Sequence, residues 1–137
     1  MNIRFAFAVD LENRFVEEHF GDADKFMIYE VADDNIYFVH SEANLFKVYE
    51  EDHDHHGDPK KGKRIIKYFT DKRIDVIVAK QFGQNIGIVK NYFLPVIISH
   101  DEPVEVKRIL SSKLDEVKEL LRNKKDSYKP LNGRDWT

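Results

Sequence analysis

The chain has 137 residues, 42% hydrophobic and 34% charged, with 22 basic against 25 acidic groups for a formal net charge of −3. This is the size and composition of one globular domain with a single core, and its slightly acidic balance gives no bulk attraction to nucleic acid or an anionic membrane. The absence of cysteine excludes a disulfide framework and any thiolate-held zinc or iron–sulfur site built from this chain alone, so metal chemistry falls to histidine and carboxylate.

In chain order, Ile3 to Val9 reads as a strand, with Ile3, Phe5, Phe7 and Val9 on one face and small Ala6 and Ala8 on the other, leaving room for a packed layer. The run is too short for a signal-peptide core, and no later run reaches ~18 apolar residues, so a soluble cytoplasmic protein is expected. Residues 10 to 24 form a polar loop carrying Glu17, Glu18 and His19. His19 reads either as a surface turn residue or as a ligand, since a neutral imidazole nitrogen coordinates borderline metals and also titrates between about pH 5 and 8. Gly21 lets the backbone turn sharply beside it.

Phe26 to Val31 and Ile36 to Val39 are β-rich runs joined by Ala32-Asp33-Asp34-Asn35, whose Asp and Asn tolerate left-handed turn geometry, so they predict an antiparallel hairpin. His40 closes the second run and reads as structural. Residues 41 to 63 are charged and broken by Gly and Pro, a loop. There His53, His55 and His56, interleaved with Asp52, Asp54 and Asp58, offer imidazole and carboxylate donors for zinc, nickel or copper. Ordering that loop costs ~1–2 kcal/mol per fixed backbone residue, so a solvated, adventitiously metal-binding segment is the competing reading.

Ile65, Ile66 and Phe69 recur at helical spacing and predict a helix from about Lys60 to Lys72. Ile74 to Ala79 predicts a strand covered on both faces. A turn, Lys80-Gln81-Phe82-Gly83, then opens a helix over about 84–93 with Ile86, Val89 and Phe93 as its buried stripe. Such a turn either serves the fold alone or presents backbone N–H groups to an anion, with Lys80 adding charge complementarity. Leu94 to Ser99 predicts a fifth strand, and Asp101-Glu102-Pro103 announces a helix. Ser112 to Asp115 resembles a loose capping box, and the spacing continues through Leu121 as a second C-terminal helix or a kinked continuation of the first. Residues 1–122 read as the single domain, and 123–137 as a polar tail with Trp136 as its large apolar anchor.

The order β-β-β-α-β-α-β-α predicts an α/β fold, a five-stranded mixed sheet with helices on its faces. Ligands in such folds gather at the carboxyl ends of the parallel strands, the rim expected to hold Asp10, Lys80, Gln81, Gly83 and the His19 loop. A two-metal nuclease is not supported. Asp10 could supply one carboxylate, but the fourth strand ends in Ala79-Lys80-Gln81, with Asp75 at its opposite end.

A first strand followed by His19-Phe20-Gly21, then Phe26 to Val31, Asp75 to Ala79 with Gly83 and Gly87, and Pro95-Val96-Ile97, together resemble the dinitrogenase iron-molybdenum cofactor biosynthesis family over residues 1 to 112. The resemblance implies a ribonuclease H-like motif and a cofactor-carrying accessory role. It implies cofactor contact by His19, Phe20, Gly21, Gly83 and Gly87, with His19 as metal ligand. The implied cargo is an iron–molybdenum or iron–sulfur cluster, and the implied partner a cofactor-assembly protein. The expectation is therefore a non-enzymatic binding or carrier protein; a regulatory or interaction module of the same fold without cofactor is the alternative.

Overall fold

A computed structural model describes residues 2–46, 59–84 and 86–137. Strand β1 (Arg4–Val9) is followed by the hairpin β2 (Lys25–Ala32) and β3 (Asn35–Ala43), then helix α1 (Pro59–Asp71), β4 (Val76–Ala79), the single turn α2 (Ile86–Val89) and β5 (Leu94–Ile98). Helices α3 (Pro103–Ser111) and α4 (Leu114–Arg122) and a short β6 (Leu131–Gly133) complete the chain. The sheet order is β3-β2-β1-β4-β5-β6; β1, β4, β5 and β6 run parallel, and the hairpin is antiparallel. The hairpin turns on Asp33 and Asp34, with φ of 53° and 63°, a two-residue turn in which both central residues adopt the left-handed geometry that suits strand twist.

The alternation in β1 separates two cores. Ile3, Phe5, Phe7 and Val9 join Tyr29, Val78 and Val96 under Val106 and Leu110 of α3 and Val117 of α4. On the other face Ala6 and Ala8 leave space for the rings of Phe20, Phe26, Phe69 and Phe93, with Ile65 of α1 among them. Each ring buried there contributes roughly 1.5–3 kcal/mol relative to exposure.

Three expectations are corrected. The sheet has six strands, not five: β6 pairs with β5, Leu131 enters the core and the ring of Trp136 lies over Gly133. Three residues are too few to display alternation. The helix expected over 84–93 is one turn, because Phe93 is already committed to the sheet-side core beside β5. Ser112 caps the carboxyl end of α3, its Oγ donating to the Ile109 carbonyl at 2.7 Å, and does not cap α4. Among the described residues no helix is long and apolar enough to cross a membrane.

Candidate functional site

The carboxyl ends of β1, β4 and β5 share one rim, and the loop after β1 is tied across it. Asp10 Oδ1 accepts the backbone N–H groups of Glu12 (2.9 Å) and Arg14 (3.0 Å), closing a turn at Asn13. Phe15 then packs against Phe7 on one face of the sheet, whereas Val16 and Phe20 enter the aromatic core on the other. Straddling the sheet end in this way fixes the loop, which closes with a 3-10 turn at Phe20–Asp22. Phe20, 3% exposed, lies 5.0 Å from the Phe26 ring, 5.5 Å from Phe82 and 5.6 Å from Phe69.

His19 therefore sits one residue from a buried anchor. The Phe20 N–H donates to the Gln81 carbonyl at 2.8 Å, and His19 forms a parallel bridge with Gln81, prolonging the β4 ladder into the loop. The imidazole rests on Gly83, whose φ is +72°. A Cβ there would lie 2.6 Å from His19 Nδ1, 2.9 Å from Cγ and 3.0 Å from Cε1. Gly83 is thus the seat of the ring: it supplies a left-handed backbone and the space that any side chain would fill. Gly83 lies against the ring at Nδ1, which is also 4.0 Å from Asp22 Oδ2, and the side chain is 46% exposed.

Lys80 is placed differently. Its side chain is only 11% exposed, and Nζ donates to both Glu17 of the loop and Asp101 after β5. Arg14 reaches the same corner, 3.1 Å from Asp101 Oδ2 and 3.4 Å from Glu102 Oε1. Burial alone would lower the Lys80 pKa, but the hydrogen bonds to Asp101 and Glu17 outweigh it and raise the value. Hydrogen bonding to Lys80 in turn holds Asp101 below the usual carboxylate range. Two cations, Lys80 and Arg14, against three carboxylates, Glu17, Asp101 and Glu102, leave net negative charge, so this corner is a poor receptor for an added anion.

The structure brings His19 together with Gln81 and Gly83, and Lys80 with the loop that carries His19. Phe20 is a core anchor, and the Gly21 carbonyl accepts from Asn44 Nδ2 at 2.9 Å. Gly87 is an exposed residue of α2 with open space beside it, so it makes no glycine turn. His53, His55 and His56 lie outside the described residues. Glu17 and Asp101 are the contributors that sequence reasoning did not assign: they stand 84 positions apart, and nothing local to either signals that they share Lys80.

Among the described residues no group of three or more His, Asp or Glu side chains is arranged to hold a metal ion. At the rim His19 offers an imidazole whose side chain is 46% exposed. That fits a cargo that brings most of its own ligands and takes one from the protein. No curated protein matches the chain. A family model described as dinitrogenase iron-molybdenum cofactor matches residues 1–88, a span that holds β1, the His19 loop, β4 and Gly83, and the chain belongs to that family.

Proposed function

We propose that this chain is a non-enzymatic cytoplasmic carrier for a metal-containing cofactor or metal–sulfur cluster of the iron–molybdenum cofactor type, built on a ribonuclease H-like motif. The observation that carries the reading is the mounting of His19: a ring seated on Gly83, a backbone paired with Gln81, and a side chain that is still 46% exposed. His19 binds the cargo, Gly83 and Gln81 hold the ring in register, and an assembly protein reaches the rest of the cargo. Asp10 Oδ1 accepts two backbone N–H groups of its own turn, a structural use that supports a binder rather than a nuclease.

Anaerobic reconstitution with iron, sulfide and molybdate, followed by metal analysis and visible spectroscopy, tests this. The wild type is expected to retain stoichiometric metal and His19→Ala to lose it. A second reading, a regulatory or protein-interaction module that keeps the fold without cargo, is favoured by one observation. Lys80, the cation placed to help hold an anion, is already paired with two carboxylates. Equal, substoichiometric metal in both proteins would establish that alternative.

A further inference from the structure

Lys80 follows β4, beneath the loop that presents His19, and its Nζ joins two segments far apart in the chain that Arg14 also links through Asp101 and Glu102. Glu17 is two residues before His19, and Asp101 lies in the connection from β5 to α3. The same two segments meet again where the Phe15 N–H donates to the Asp101 carbonyl at 2.9 Å. Gln81 Nε2 donates to the Glu17 carbonyl, so successive residues after β4 grip both the side chain and the backbone of residue 17.

We propose that Lys80 is a positioning residue: a strap that draws the His19 loop onto the β5 connection and so fixes where the imidazole sits, without itself contacting the cargo. The inference rests on the carrier reading above for its purpose, but not for its geometry. A nearly buried ammonium between two carboxylates loses much if one partner is removed, because solvent cannot readily replace that partner. Glu17 is 79% exposed at its side chain, so its half of the strap is retained by Lys80 rather than by packing. Cutting it leaves the core untouched.

Glu17→Gln is therefore the decisive variant, with Lys80→Met and Lys80→Arg beside it. Amide hydrogen exchange and the His19 ring resonances are read in the metal-free protein. Glu17→Gln and Lys80→Met are expected to speed exchange of the Phe20 amide by about tenfold and to shift the His19 ring signals, with Lys80→Arg restoring both. Unchanged exchange and ring signals in Glu17→Gln would overturn the strap, whatever the fate of Lys80→Met. The anionic probe tetrathiomolybdate then separates positioning from direct contact. Glu17→Gln weakens its binding if Lys80 acts through the loop; tighter binding, from a freed ammonium, would contradict the proposal. A wild type that takes up no probe, with altered exchange in Glu17→Gln, would sink the carrier reading and leave the strap standing.

Discussion

Two histidines end up in opposite chemical situations. His40, on the edge strand β3, has Nε2 2.6 Å from Glu42 Oε1, and that carboxylate also receives Lys72 Nζ at 2.9 Å and the Tyr68 hydroxyl at 3.1 Å. Lys72 further lies 5.0 Å above the Tyr68 ring. His19 instead has a glycine beneath it and a carboxylate 4.0 Å away. Both rings are partly exposed, at 42% and 46%, so exposure does not distinguish them. What differs is how each ring is held: His40 Nε2–H donates to a carboxylate that Lys72 and Tyr68 also bond, whereas His19 rests on a glycine. An imidazole held by a hydrogen-bond network serves the sheet edge, whereas His19 is placed at the rim by shape and backbone pairing.

The mounting of His19 should break most severely at its anchor. Phe20→Ala removes a ring from the aromatic core and should cost about 3–5 kcal/mol in urea unfolding, with metal retention lost in whatever fraction stays folded. Next comes the seat. Gly83→Ala forces a side chain into a left-handed backbone at about 1–2 kcal/mol and pushes the His19 ring aside, moving its NMR signals. Gly87→Ala, a helical glycine with open space around it, should instead stabilise by about 0.5–1 kcal/mol and leave those signals unmoved. Opposite signs at two glycines four residues apart would distinguish a seat from a bystander.

The smallest effect belongs to the other histidine. Glu42→Ala should cost less than about 1 kcal/mol, as for other solvent-screened pairs, and should not alter metal retention. Hydrogen bonding to Lys72, then to His40 and Tyr68, holds the Glu42 pKa below its ordinary value against the opposing pull of burial. The stability it contributes is therefore present above the unfolded carboxylate pKa, near about 4.3, and is lost as pH falls through the lower folded value. Unfolding curves of wild type and variant should converge below that pH.

Much of this was legible in the chain. Alternation in β1 gave both cores, and the Asp33-Asp34 turn and the Asp101-Glu102-Pro103 helix start follow from local backbone preferences. A rim shared by His19 and Gly83 follows from strand order. The failures have physical causes. Strand β6 is three residues long, and helix α2 stops early because Phe93 is needed in the core. Lys80 looked like a free cation because its partners, Glu17 and Asp101, meet it only after β1, β4 and β5 line up. Local sequence encodes which residues turn and alternate; it does not encode which charges will be neutralised by tertiary neighbours.

The contrast between the two imidazoles is tested most directly by metal content after anaerobic reconstitution of His19→Ala and His40→Ala side by side. Loss of metal in His19→Ala with wild-type retention in His40→Ala is the predicted result. Equal retention in the two variants would contradict the assignment of His19 as the ligand.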